Sequence, residues 1–501
     1  MSYLGIDIGT SGCKAVVFNE TGKELASAYR EYTLICSKPG WAELESEKVM
    51  SSCFDSIREV NAKIYDNPVE AMCISSQGEA FTCIGTDNKI LRNAMVSSDS
   101  RADQIAKEWS HNFGIDKLYQ ITGHTAHPLF SLFKLIWIKE NQPDIWNKTI
   151  KFYCFEDLMH HALGIDPAIS WPMAGRTMLF DVRRHVWSEE ILKSIGLGSS
   201  KLANPVASGK IIGIIRKDMA KQLGFVHEVK VITGGHDQTV GALGAGITKP
   251  GISMYATGTV ECFCPMLEKP SFTDELMKNN LCCYDYTLEN QYTTVAYSLT
   301  GGSILKWFRD EFGQSEKERA KRTGENPYSL LLSSMPEFPT DLLVLPYFTA
   351  TGTPYFDTQA KGAIIGIQMT TSRVEIMKAL LEGVAMEMRL NLELMETSGM
   401  KINKFIATGG GIRNPKWTQL KADILNKPIE TKEINEAGCF GAAMLACAAV
   451  TGEDIHSLIL QDMGQTKIFY PDHYKAEIYS HKFEDYKKLY PALKQFWNPG
   501  V

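Results

Sequence analysis

Hydrophobic and polar positions follow two periods along this chain. Tyr3 to Ile8 is a short apolar run ending in Asp7-Ile8-Gly9-Thr10-Ser11-Gly12; Ala15 to Phe18 is a second run, and Asn19-Glu20-Thr21-Gly22 separates it from a third segment, Glu24 to Tyr32. Short apolar runs bounded by glycine and asparagine turns predict a β-meander. The period then lengthens. Ser46 to Ile64, Ala102 to Trp109 and Leu132 to Asn141 carry helical spacing, with a short buried-strand candidate at Ala71 to Ser75. In the centre, Lys230 to Gly246 reads as a strand, a glycine turn and a small-residue helix, and Gly251 to Val260 is again an apolar run leading into a Gly-Thr turn. That return to the opening pattern predicts a duplicated unit, with the boundary at Gly246 to Gly251. The second half closes with a long helix over Val374 to Ser398, a strand at Lys404 to Thr408, a helix at Pro415 to Leu425, a strand at Ile429 to Thr431 and a small-residue helix over Ala437 to Val450. Alternating strands and helices predict an α/β fold.

Composition narrows the picture. A chain of 501 residues exceeds one ordinary core, so two domains are expected, 1–246 and 247–501. With 44% apolar and 22% charged residues it reads as globular. A net charge of -6 without a basic stripe argues against nucleic-acid binding. The N-terminus has neither a basic region nor a cleavable apolar stretch, so a cytoplasmic protein is expected. The small-apolar run from Gly441 to Val450 is about half a bilayer span and predicts a buried helix, not a membrane contact. Twelve cysteines include no CxxC spacing, which points to buried free thiols in a reducing compartment.

Four loops carry candidate chemistry. In the first turn, glycines let backbone N–H groups approach phosphate oxygens, Thr10 and Ser11 add hydroxyls, Lys14 adds a charge, and Asp7 stands where it could hold hydrated magnesium. An ordinary hairpin would share that pattern. Ala256-Thr257-Gly258-Thr259 repeats it, so two facing turns could clamp a triphosphate. Gly409-Gly410-Gly411, before Ile412-Arg413-Asn414, joins a strand to a helix and suits close approach of a flat or anionic group, or tight packing. Asp237, in Gly234-Gly235-His236-Asp237-Gln238, could accept a proton from an attacking hydroxyl or could cap the following helix.

Taken in order, these motifs resemble the FGGY family of carbohydrate kinases over roughly residues 3 to 450. Gly5 to Gly12 looks like the family's first phosphate motif, Lys134 to Asn141 like its first signature, Gly362 to Ile367 with Glu375-Ile376 and Ala379 to Glu382 like its second, and Gly409 to Asn414 like its adenosine motif. The resemblance implies two actin-like, ribonuclease-H-like domains with an interdomain catalytic cleft, and ATP and Mg2+ as cofactors. It implies Asp237 as catalytic base, with magnesium held by Asp7 and Asp237. It also implies nucleotide and phosphate contacts at Thr10, Ser11, Lys14, Gly258, Thr259, Gly302, Gly410, Gly411 and Asn414.

The acceptor segment departs from both well-known patterns. Gln77-Gly78-Glu79 keeps the flanking residues of the glycerol kinase motif without its arginine, and lacks the Met-His-Gly of xylulokinases. Leu129 replaces an aromatic, while Asp237-Gln238 matches glycerol kinases. Gln77, Glu79, Asp99, Arg101, His236 and Gln238 are the expected contacts for a small sugar or polyol. The best-fitting activity is ATP-dependent phosphorylation of a primary hydroxyl on a ketopentose; tetrulose, glycerol or erythritol, and gluconate are the alternatives. An actin-like ATPase switch and a non-catalytic sugar-responsive scaffold share the fold but not the need for Asp237 beside a sugar segment. Homodimers are common in the family, but the sequence marks no interface patch.

Overall fold

The computed structural model describes residues 1–64, 66–432, 436–461 and 466–497. Two large sheets organise them. The first contains β1 (Ser2–Ile8), β2 (Gly12–Asn19), β3 (Glu24–Glu31), β4 (Val69–Ser76), β5 (Ile211–Ile214) and β6 (Lys230–His236), in the order β5-β6-β4-β1-β2-β3. The expected meander is antiparallel, Asp7 facing Lys14 across it; β1, β4 and β6 run parallel, and β5 closes the edge antiparallel.

The second sheet is built from β7 (Ile252–Thr257), β8 (Glu261–Leu267), β9 (Ala296–Ser298), β10 (Lys404–Thr408), β11 (Ile429–Lys432) and β12 (Thr466–Phe469), with two short strands at Tyr284–Asp285 and Tyr292–Thr293 on its outer edge. It repeats the first sheet pair by pair. β7–β8 and β8–β9 are antiparallel, β7–β10 and β10–β11 parallel, and β12 closes antiparallel on β11. The duplicated unit is therefore present in hydrogen-bond pattern as well as in sequence. The units differ at the closing edge, where β5 precedes β6 but β12 follows β11.

Helices cover the sheets: α1 (Ser46–Asn61), α2 (Asp237–Gly244), α3 (Gly302–Phe312), α4 (Arg373–Thr397), α5 (Pro415–Leu425), α6 (Ala437–Thr451) and α7 (His473–Leu493). Ser372 and Glu375 form a reciprocal capping box that starts α4, satisfying two otherwise orphaned N–H groups. Tyr479, Phe483 and Tyr486 of α7 are buried in the second unit's core.

The two units share a core made by α2 and α6. Phe440, Ala442 and Ala443 of α6 are buried with Tyr3, Val16 and Ala71 of the first sheet and with Val240 and Leu243 of α2. Glycine makes the approach possible. A Cβ on Gly5 would stand 1.8 Å from the Cys439 carbonyl oxygen, one on Gly244 1.9 Å from that of Ala437, and one on Gly441 2.3 Å from that of Val240. Helix α6 thus follows the second unit in sequence yet packs on the first sheet. No helix among the described residues is long and apolar enough to cross a membrane. Every cysteine is a free thiol, and all but Cys36 are buried.

Candidate active site

The first turn follows β1. Gly9 N–H donates to Gly12 O at 3.0 Å, which leaves Thr10 and Ser11 exposed at the tip. Gln77 braces this turn from below: its backbone N–H donates to Ile8 O at 2.8 Å, its Nε2 to Gly9 O at 3.0 Å, and its Oε1 accepts from Thr10 Oγ1 at 3.2 Å. Gln77 is thus a structural partner of the phosphate turn as well as an acceptor-side candidate. Asp7 Oδ1 accepts from Ser75 Oγ at 2.7 Å. Burial holds the Asp7 carboxyl above the usual range, opposed by the Ser75 hydrogen bond and reinforced by Glu436. Lys14 Nζ donates to Glu436 at the start of α6.

The acceptor segment is built differently from what the sequence suggested. Glu79 is 2% exposed and has a left-handed backbone, φ 64°. Arg176 donates to its Oε1, Ser97 Oγ donates to its Oε2 at 2.7 Å, and Ser131 Oγ donates to its backbone carbonyl at 2.8 Å. Arg176, just after the short helix Trp171–Gly175, also lies over the rings of Phe130 and Tyr284, 5.1 and 5.4 Å from their centroids. No local motif announced Arg176, which lies 97 residues beyond Glu79. Asp99 and Arg101, by contrast, are spent on each other. Arg101 Nε is 2.9 Å from Asp99 Oδ1, its guanidinium pairs with Glu43 at 2.8 Å and lies 3.6 Å from the Trp41 ring centroid, and Ala42 N–H donates to Asp99 at 2.8 Å. With Asp99 only 1% exposed, this pair reads as a buried clamp behind the site.

His236 is the N-cap of α2, and Asp237 is its first helical residue. Asp237 Oδ1 accepts from Gln238 Nε2 at 3.3 Å and lies 3.2 Å from His236 Nε2. Its side chain keeps 29% exposure. Burial, then the charges of Asp7 and Glu79, push its carboxyl up to about 7. One carboxyl thus feels both Asp7 of the first turn and the buried Glu79. That is the electrostatic pattern of a group poised to exchange a proton near neutrality.

The second unit supplies a cleft of about 590 Å³ lined by Gly258, Thr259, Gly302, Gly410, Gly411 and Asn414. All six were expected in nucleotide binding. The turn after β7 is locked to α3, since Gly301 N–H donates to Thr259 O at 2.9 Å and Gly302 N–H to Gly258 O at 2.8 Å. Gly409 has φ 91°, and a Cβ there would meet Thr257 O at 2.6 Å; at Gly410 a Cβ would meet nothing within 4 Å. Asn414 caps α5 by accepting from Lys416 N–H at 3.0 Å and Trp417 N–H at 3.3 Å. Leu305, Tyr328, Leu332 and Trp417 add an apolar slot, while Ser303, Lys306 and Arg413 add donors. Sequence reasoning missed these because they come from three separate segments. Beneath the floor, Lys421 pairs with Glu261, which also accepts from Tyr255, so the β7–β8 hairpin and α5 are joined by a buried charge.

The family model for FGGY carbohydrate kinases, N-terminal domain, matches residues 2–244, and that for the C-terminal domain matches residues 254–450. A xylulose kinase of Bacillus subtilis (strain 168) is 27% identical over 499 residues, covering 99% of this chain and 98% of that protein. A gluconokinase of Bacillus licheniformis is 27% identical over 494 residues, covering 98% and 94%. The crystal structure of a xyloylose kinase from Brucella ovis superposes with a TM-score of 0.90 at 26% identity, covering 99% of this chain and all of that one (100%). With a glycerol kinase from Plasmodium falciparum, solved with ADP, the likeness is one of fold alone: TM-score 0.85 at 22% identity, covering 97% of each chain. Both halves of the cleft thus lie within regions matched by one pair of domain models, and the chain belongs to the FGGY family of carbohydrate kinases.

Proposed function

We propose that this ATP-dependent carbohydrate kinase phosphorylates a neutral, linear ketopentose at a primary hydroxyl, with Asp237 as general base. The observation that supports it best is Asp237 at the start of α2, 29% exposed, with a carboxyl pushed up to about 7 by burial and then by the charges of Asp7 and Glu79. A carboxylate there can take the acceptor hydroxyl's proton as its oxygen bonds to the γ-phosphorus and ADP leaves in line. In phosphoryl transfer most of the remaining work is positioning and charge stabilisation. Thr10, Ser11, Gly258 and Thr259 offer hydroxyls and backbone donors to the phosphates, Lys14 a charge, and Gly302, Gly410, Gly411 and Asn414 line the nucleotide cleft.

Neutral acceptors are favoured by charge. Glu79 and Asp237 are both acidic, and the Arg176 guanidinium is already paired with Glu79. An aldonate carboxylate would enter that field with the Arg176 guanidinium already engaged. Gln77, Glu79, Arg176 and Gln238 offer hydroxyl partners instead. The Gln77-Gly78-Glu79 and Asp237-Gln238 pattern favours a shorter polyol as second reading.

Magnesium would be held by Asp7, whose partly buried carboxylate is raised by burial and by Glu436 against the opposing pull of Ser75 and Lys14. A magnesium ion in such a cleft is bound through one or two carboxylates, water and substrate phosphates. When bound, it supplies charge neutralisation at the phosphates. Twelve free thiols suit a reducing cytoplasm, and homodimer formation is checked by light scattering.

The test is product identification by mass spectrometry after incubation with ATP, magnesium and a panel of ketopentoses, tetruloses, polyols and aldonic acids. A phosphorylated ketopentose as main product is expected. Exclusive phosphorylation of an aldonic acid would overturn the charge argument.

A further inference from the structure

We infer that Tyr297, a residue of the second unit, is a further acceptor-binding residue: its phenol hydroxyl bonds a hydroxyl group of the bound sugar or polyol, so that the acceptor pocket is closed from both units. This rests on the acceptor lying beside Glu79 and Asp237, and it adds a contact that no motif marked.

The strand pairing aims the side chain. Tyr297 stands directly opposite Cys262 in the antiparallel β8–β9 pair. Residues opposite each other share one face of such a pair. That face is turned toward the first unit, because Cys262 Sγ donates to Gln238 Oε1 at 3.5 Å. The adjacent pair, Glu261 opposite Ser298, points the other way, and Glu261 takes Lys421 and Tyr255 beneath the floor. The second unit also reaches Arg176, whose guanidinium lies 5.4 Å from the Tyr284 ring centroid. The surroundings of Tyr297 match this placement. Burial holds its phenol above the ordinary range, with the Arg176 charge opposing and the Glu79 charge adding to the effect.

The backbone of Tyr297 is fixed, while its hydroxyl is unused. Its N–H donates to Thr353 Oγ1 at 2.8 Å, and Thr353 N–H donates back to Tyr297 O at 3.1 Å. Gly352 passes so close that a Cβ there would lie 2.0 Å from Tyr297 O. The ring is 5.9 Å from that of Phe356, which lies 5.0 Å from the His127 ring of the first unit. Neighbouring tyrosines spend their hydroxyls inside the protein: Tyr284 on His236 Nδ1, Tyr255 on Glu261, Tyr286 on Ile247 O. Tyr297 is half-buried, and among the described residues its hydroxyl has no partner and is not sealed from solvent. A tyrosine hydroxyl held this deep ordinarily finds one. A polyhydroxylated chain supplies it, since a phenol O–H both donates and accepts. A site that keeps such a group for a substrate hydroxyl discriminates against analogues lacking that hydroxyl.

The experiment uses the full-length enzyme and whichever sugar of the panel the wild type phosphorylates, so it holds whether or not that sugar is a ketopentose. Tyr297→Phe keeps the ring and removes only the hydroxyl. It should raise the KM for the acceptor by about tenfold, with kcat, the KM for ATP and the melting temperature unchanged. Wild type and variant are then compared on single-deoxy analogues of that sugar, as substrates or as inhibitors. The analogue lacking the contacted hydroxyl should bind the two enzymes equally. An unchanged acceptor KM in Tyr297→Phe, a tenfold difference that persists on every analogue, or a loss confined to ATP would each overturn the inference. Wild-type turnover by Asp237→Asn would defeat the assignment of the base instead, and the Tyr297 comparison would still decide the acceptor contact.

Discussion

Lys14 and Glu436 form an ion pair across 422 residues of chain, joining the first phosphate turn to the start of helix α6. The pair is partly solvent-exposed, at 28% and 29%, so its contribution to stability is under about 1 kcal/mol. Its place matters more, since on the proposed function incoming phosphates would compete with Glu436 for the same ammonium. Lys14→Ala should raise the KM for ATP by about tenfold, or about 1.4 kcal/mol, with the melting temperature nearly unchanged. Glu436→Gln should lower that KM, because the lysine is no longer engaged. Equal, same-sign effects in the two variants would mean the pair is structural.

Neighbouring glycines in the nucleotide loop should behave in opposite ways. Gly409→Ala places a Cβ 2.6 Å from Thr257 O on a left-handed backbone, and should cost about 1–3 kcal/mol by chemical denaturation. Gly410→Val adds bulk where the cleft is open, so stability should hold while ATP binding weakens by about tenfold, measured by calorimetry. Normal ATP affinity in Gly410→Val would place the nucleotide elsewhere.

The Asp237 carboxyl gives a pH signature. Burial first, then Asp7 and Glu79, raise it to about 7, and the base works only as carboxylate. Activity is therefore present above that value and lost as pH falls through it. The kcat/KM for the acceptor should rise through about pH 7 and level off above it. A profile flat between about pH 6 and 8 would remove Asp237 as the titrating base.

Arg176 should be required for folding as well as for the acceptor. Glu79 is 2% exposed, and removing its guanidinium partner leaves a buried charge. Arg176→Met should cost about 3–5 kcal/mol in denaturant unfolding, with part restored by Glu79→Gln in the same chain. A loss under about 1 kcal/mol would mean water already satisfies Glu79.

What the sequence disclosed and what it concealed differ by range. The meander, the Gly-Thr turns, the three glycines at 409–411 and the Asp237 turn are local, carried by residues whose backbone demands are readable singly, and helix α5 and strand β10 fall where periodicity put them. The packing of α6 on the first sheet was not readable: its small residues suit burial anywhere, and only Gly5 and Gly244 on distant segments show what it meets. Arg176 and Tyr284 were missed for the same reason, since each reaches the site from a segment without a motif. Asp99 and Arg101 show the converse. A polar pair that looked ligand-like is consumed by Glu43, Trp41 and each other, a burial that composition cannot reveal.

The most direct test compares ADP release by wild type and Asp237→Asn, with ATP, magnesium and the sugar that the wild type turns over, beside ATP binding to both. The expected result is unchanged ATP affinity with sugar-dependent turnover reduced by at least about a thousandfold. Sugar phosphorylation by Asp237→Asn at close to the wild-type rate would contradict the assignment of the base, and with it the arrangement of the cleft around that residue.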